Sequence, residues 1–116
     1  MQDVRKILND FMNGIGNVNV TNEADVSAFM GFMGDVYQPK ALDPKTKELM
    51  SVAIAAYNRC QFCIVYHVYK SYEAGATKQE IMEAAMVALT FGGGPTLAYT
   101  STYLVDAANE FEHDFD

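Results

Sequence analysis

Residues 60–74 read Cys60-Gln61-Phe62-Cys63-Ile64-Val65-Tyr66-His67-Val68-Tyr69-Lys70-Ser71-Tyr72-Glu73-Ala74. By propensity, Phe62, Ile64, Val65, Tyr66, Val68 and Tyr69 suit a strand. A strand needs a partner, and no other stretch of the chain offers one, so residues 61–74 are expected to be a helix. That choice makes the whole chain all-α. It also turns the stretch into a stripe: Cys60, Cys63 and His67 fall at i, i+3 and i+7, on one side of a helix.

The segments on either side carry helix punctuation. Upstream, Asp43-Pro44 is a start signal, Asp as N-cap and Pro at the first helical position. The helix predicted over 44–58 is apolar on nearly all sides and is expected to be buried. Leu49, Val52, Ala53 and Ala56 form one face, and Met50, Ile54 and Tyr57 form another. Glu48 falls in line with Val52 and Ala55, which draws it toward the interior. A break near Arg59 would let this helix and the next face each other. Downstream, Gly75 is a natural C′ residue. Thr77-Lys78-Gln79-Glu80 is a capping box that opens a helix bearing Ile81, Ala84, Ala85, Ala88 and Leu89.

Further out, Val4, Ile7, Leu8, Phe11, Met12 and Ile15 repeat at helical spacing after Asp3, and Gly14 and Gly16 are expected to end that helix. Residues 17–20 read as a connector. Thr21 or Asn22 is a candidate N-cap for a helix with Val26, Phe29, Met30, Met33 and Tyr37. Gly31 and Gly34 would permit close approach of a neighbour, and Pro39 is a stop. Gly92-Gly93-Gly94-Pro95 is a break. It has neither the preceding strand nor the Gly-Lys-Ser/Thr of a phosphate loop. A last helix over 95–110 carries Leu97, Ser101, Leu104, Val105 and Ala108 on one face, before an acidic tail. The expectation is one domain over residues 1–116, a bundle of about six helices.

With 116 residues, half of them apolar, the chain is long enough to bury a core without disulfide staples. The formal net charge of −7 and the lack of a basic cluster argue against nucleic acid and against an anionic membrane surface. No run reads as long and apolar enough to span a bilayer, and residues 1–6 lack the apolar core of a signal peptide. A cytoplasmic location is expected, where a permanent disulfide is uncommon.

Cys-x-x-Cys at a helix start can close to a disulfide and reopen, and the free N–H groups there favour a thiolate. His67, one turn past Cys63, can accept or return a proton near neutral pH. Glu48, if it lies across from them, could orient His67 or hold the proton. Other readings stay open. The two cysteines could be buried core thiols. A zinc site on Cys60, Cys63 and His67 would need a fourth ligand from Glu48, His113 or another carboxylate. The aromatics Phe62, Tyr66, Tyr69 and Tyr72 suit a core or a subunit interface. The apolar surface on several helices suggests self-association.

The sequence Asp43-Pro44-Lys45-Thr46-Lys47-Glu48-Leu49, then Cys60-x-x-Cys63-x-x-x-His67, then Gly75-Ala76-Thr77-x-x-Glu80-Ile81 resembles the carboxymuconolactone decarboxylase superfamily. It is most similar to the branch typified by alkylhydroperoxidase D. The resemblance covers roughly residues 40–92. It implies an all-helical fold assembled as a homotrimer or homohexamer, and a thiol–disulfide oxidoreductase or peroxidase that needs no cofactor or metal. Cys60 and Cys63 would be the redox pair, with Cys63 as the activated thiol and Cys60 as the more exposed partner. Glu48 and His67 would be the proton relay. A small hydroperoxide or a disulfide would be the substrate, and a dithiol the electron donor. Gln61 and Phe62 stand between the cysteines, where the peroxidase-linked prototype carries a histidine. The alternatives are a non-catalytic helical oligomer and a lactone-decarboxylating enzyme, and that decarboxylase branch works without the cysteine pair.

Overall fold

The computed structural model describes all residues Met1–Asp116. It contains α1 (Val4–Val36), α2 (Pro44–Asn58), α3 (Gln61–Glu73), α4 (Lys78–Tyr99), a π-helical turn (Thr100–Leu104) and α5 (Val105–Phe111), and no strand. Residues 61–73 are helical despite their strand-like composition. Their side chains find the core by packing on α2, α1 and α5, which outweighs local propensity.

The caps explain most boundaries. Asp3 accepts from Lys6 N–H at 3.1 Å and Asp43 from Thr46 N–H at 2.7 Å. Thr77 and Glu80 form the reciprocal capping box. Gly75, at φ 95°, follows α3 in the left-handed region open to glycine. Arg59 adopts φ 54° and ψ 45°. This left-handed turn folds α3 back beside α2 and lets the two helices exchange side chains.

α1 departs from expectation. The helix runs through Gly14, Gly16 and residues 17–20 without a connector, and breaks only at Asn22 (φ −130°, ψ 45°). Two glycines weaken a helix by about 1 kcal/mol each, which is too little to end one that already has several turns on each side. A Cβ added at Gly31 or Gly34 would meet no neighbouring atom within 4 Å, so neither glycine serves a close approach. The second expected break does occur, at Gly93 (φ 62°) inside α4. Four continuous helical runs, divided at Asn22 and Gly93, give the six straight segments of the bundle.

The core is a single cluster running from Val4 and Leu8 through Val52, Ile64, Val65, Val68, Ile81 and Leu104 to Phe111. Tyr72 lies in it and donates its hydroxyl to Ala108 C=O at 2.7 Å. Two faces differ from the sequence reading. Met50, Ile54 and Tyr57 of α2 are exposed rather than buried. In the last run Thr96 and Thr100 point inward while Leu97 and Ser101 face out. The π-turn, with Val105 N–H bonded to Thr100 C=O, adds a residue to that turn and shifts the phase of a face reckoned at 3.6 residues per turn. One helical run, Lys78–Phe111, is by length and composition apolar enough to cross a membrane, which the sequence reading did not anticipate. Its continuity is interrupted at Gly93. Ile81, Ala85, Ala88, Leu104 and Phe111 on this run belong to the protein core.

Candidate functional site

α2 and α3 pack along their length, so Glu48, at the start of one, meets His67, near the middle of the other. Glu48 is 6% exposed and shares its face with the fully buried Val52 and Ala56. Its Oε1 lies 2.8 Å from His67 Nδ1. An ionised carboxylate can only accept, so this contact holds the imidazole with its proton on Nδ1 and leaves Nε2 free. A carboxylate this deep is tolerated because it has this partner.

The imidazole is held on other sides as well. Tyr37, at the C-terminal end of α1, stacks on it with ring centroids 6.0 Å apart and planes at 19°. Tyr66 meets it edge-on at 5.0 Å. Burial pushes the Tyr66 phenol above its usual range, with the nearby Lys70 charge opposing.

Cys60 and Cys63 are joined as a disulfide, with Cα atoms 5.3 Å apart. Cys60 is the N-cap of α3, and its Sγ accepts the Cys63 N–H at 3.2 Å. One free N–H of the helix N-terminus, that of Cys63, therefore points at the Cys60 sulfur. Cys63 is exposed and Cys60 is half-buried. This reverses the expected order, because Cys60 packs back into the α2–α3 turn while Cys63 lies on the outer side of the first turn of α3.

Two clefts meet at His67. The larger, about 640 Å³, lies between α1 and α3. Phe11, Ile15, Val26, Phe29, Met33 and others line it, and it reaches Cys63, Tyr66 and His67. The smaller, about 280 Å³, is more polar and includes Tyr37, Gln38, Glu48, His67 and Lys70. Phe62 leans on Phe11 (6.4 Å between centroids) and supplies no proton-carrying group beside the disulfide.

Glu48, Cys63 and His67 are thus brought to one place, with Cys60 bonded to it. His113 is not part of it and bonds Asp116 in the tail at 2.8 Å. With both sulfurs in a disulfide, neither is available as a thiolate ligand to zinc in this state. Sequence reasoning missed Tyr37 and the apolar cleft. Tyr37 was read only as part of a helix face, and nothing local ties it to a histidine thirty positions on.

An uncharacterized protein of Cupriavidus necator is 30% identical over 109 residues, covering 92% of this chain and 96% of that one. Uncharacterized protein 4 in the cox locus of Paracoccus denitrificans is 38% identical over 77 residues, 66% of this chain and 69% of that one. Among solved structures, a carboxymuconolactone decarboxylase family protein of Legionella pneumophila superposes with a TM-score of 0.90 at 28% identity, covering 97% of this chain and 99% of the other. A family protein of Thermotoga maritima, suggested to take part in an antioxidative response, matches with a TM-score of 0.78 at 29% identity, over 89% of this chain and 87% of that one. The model of the carboxymuconolactone decarboxylase family matches residues 26–106, and the chain belongs to that family.

Proposed function

We propose that the protein is a thiol–disulfide oxidoreductase of the alkylhydroperoxidase D-like kind, able to use a hydroperoxide as oxidant. One observation carries the reading. The Cys60–Cys63 disulfide opens through Cys63 onto an apolar cleft that also receives His67, itself bonded to the buried Glu48.

The cycle follows from the positions of these atoms. In the reduced state the Cys63 thiolate attacks the outer oxygen of a hydroperoxide. The O–O bond breaks, the alcohol leaves with a proton from the His67–Glu48 pair, and Cys63 becomes a sulfenic acid. The Cys60 thiol then attacks the Cys63 sulfur, forming the disulfide and releasing water. A dithiol donor completes the cycle. One of its thiolates attacks the exposed Cys63 sulfur, and Cys60 leaves as a thiolate at the helix N-terminus. The donor's second thiol resolves the mixed disulfide, so two electrons and two protons pass from donor to protein. With a disulfide as oxidant, the same thiolate attacks sulfur instead of oxygen. A reducing compartment such as the cytoplasm would supply such a donor. The test is turnover: the reduced protein with a dithiol donor should consume an organic hydroperoxide, and Cys60→Ser should stop the cycle. Full turnover by Cys60→Ser would refute the reading.

We also propose that the chain works as a homo-oligomer, a trimer or hexamer by family resemblance. Met50, Ile54 and Tyr57 of α2 and Met86, Val87, Phe91 and Leu97 of α4 are all exposed. A stable monomer rarely leaves so many large apolar side chains on adjoining helices. Sedimentation measures this directly, and a 12.8 kDa species at all concentrations would rule it out.

A further inference from the structure

We propose that Tyr37 is a positioning residue for the redox site, fixing and electrostatically supporting the His67 imidazole; this rests on the redox reading of Cys60, Cys63, His67 and Glu48. Tyr37 is held at both its ends. Its backbone sits at the C-terminus of α1, its N–H bonded to Met33 C=O at 3.1 Å. Lys47 of α2 reaches over it and donates to the carbonyls on either side, Val36 at 2.6 Å and Gln38 at 2.9 Å. Its hydroxyl pairs with Ser51 Oγ, and Ser51 in turn donates to Lys47 C=O at 2.8 Å.

Lys47, Glu48 and Ser51 therefore form one strap along the start of α2. Glu48 holds the edge of the imidazole, and the other two hold the ring that stacks on its face. With Tyr66 edge-on, the imidazole has little freedom to rotate, and Nε2 remains its only unpaired nitrogen. The stacked phenol presents a negative π-face to the imidazole, an arrangement that attracts a cationic ring whenever one is present. An imidazolium near Cys63 favours its thiolate. The hydroxyl's bond to Ser51 is what keeps the phenol ring in register, because a free tyrosine at a helix end would swing into the adjoining clefts.

The ionisable groups facing His67 are Glu48 from α2, Tyr37 from α1, and Cys63, Tyr66 and Lys70 from α3, with Asp25 of α1 on the wall of the larger cleft. The test reads Cys63 through them. The reduced full-length protein is alkylated with iodoacetamide across pH 5–10 and the rate at Cys63 is followed by mass spectrometry. Removing the ring in Tyr37→Leu should move the inflection to higher pH and slow alkylation at neutral pH about fivefold, the size of one exposed to partly buried cation–π contact. Tyr37→Phe, which cuts only the hydroxyl link, and Ser51→Ala, which also removes the Ser51–Lys47 bond, should each give a smaller shift in the same direction. The double variant should be no worse than Ser51→Ala alone, because both substitutions remove the same hydroxyl link. Lower thermal stability with a wild-type pH profile in Tyr37→Leu would overturn the proposal. His67→Ala separates the two ideas. A shifted profile there with none in Tyr37→Leu defeats only the positioning role. No shift in either defeats the redox reading beneath it.

Discussion

Glu48 is a buried acid on a helix that otherwise turns small and branched apolar residues inward, and its one side-chain partner is His67. Deleting one partner of a buried ionic pair typically costs about 3–5 kcal/mol. Here the imidazole retains some solvent contact, so His67→Ala should destabilise by less, about 1–3 kcal/mol, measured by thermal or urea unfolding. Glu48→Gln keeps a hydrogen-bonding group and should unfold close to wild type while slowing turnover. Tyr72 supplies a second residue-scale test. Burial, with a smaller push from Glu112, raises its phenol from 10.0 to about 12. The folded pKa lies above the unfolded one, so this contribution is intact below pH 10 and is lost as pH rises from 10.0 toward about 12. Tyr72→Phe should cost about 1 kcal/mol at neutral pH through the lost bond to Ala108 and should flatten the alkaline fall in stability, which a pH series of melting curves would show. At this scale the sequence was informative about Glu48, Cys60, Cys63 and His67, because their spacing is a chemical pattern. It was silent about Tyr37, whose partners Ser51 and His67 are brought to it only by the packing of α1 on α2 and α3.

The helices end where capping chemistry ends them. Asp43, Arg59, Gly75 and the Thr77–Glu80 box all do what their local sequence predicts. Thr77→Ala should cost about 1 kcal/mol. Glu80 is held below the usual glutamate range first by the Thr77 backbone N–H and then by Lys45. Its support is therefore present above the ordinary glutamate pKa and disappears as the solution is acidified through and below it. Gly92 tests the fourth helix. A Cβ there would stand 1.8 Å from Thr96 Oγ1 and 2.8 Å from Thr96 Cβ, so Gly92→Ala should destabilise by about 1–3 kcal/mol, read as a fall in Tm. Gly14 and Gly16 misled because a glycine is only a weak breaker when the helix continues on both sides. Thr96 and Thr100 were missed because two polar residues take inward positions, set by the break at Gly93 and the π-turn at Thr100–Leu104. The glycine run announced the break, but neither the phase of the helix after it nor the π-turn leaves a mark on a count of apolar residues at helical spacing.

At the scale of the whole molecule, α1 is the anomaly. Of its 33 residues only Val4 and Leu8 are buried, while Phe29, Met30 and Phe32 are exposed. The second arm of the helix matters to the site all the same, because it carries Tyr37 and walls the cleft in front of Cys63. The exposed faces of α2 and α4 bear on the proposed homo-oligomer. Ile54→Glu or Phe91→Glu should shift sedimentation toward the monomer while leaving each chain's helical circular dichroism intact. The sequence reading predicted all-helical structure from helical spacing and the want of a strand partner, and self-association from a surplus of apolar positions, but it placed Met50, Ile54 and Tyr57 inside the bundle. A single sequence records that a residue avoids water without recording which chain covers it. Against this scaffold the Cys60–Cys63 disulfide is the part whose proposed chemistry can be tested most directly. Reduced protein should be treated with one equivalent of an organic hydroperoxide, quenched with an alkylating agent and weighed by intact-mass spectrometry. The account predicts a species lighter by two hydrogens, unalkylated at Cys60 and Cys63 and returned to the dithiol by a dithiol reductant. Two freely alkylated cysteines, or oxidation that stops on one sulfur without a crosslink, would contradict it.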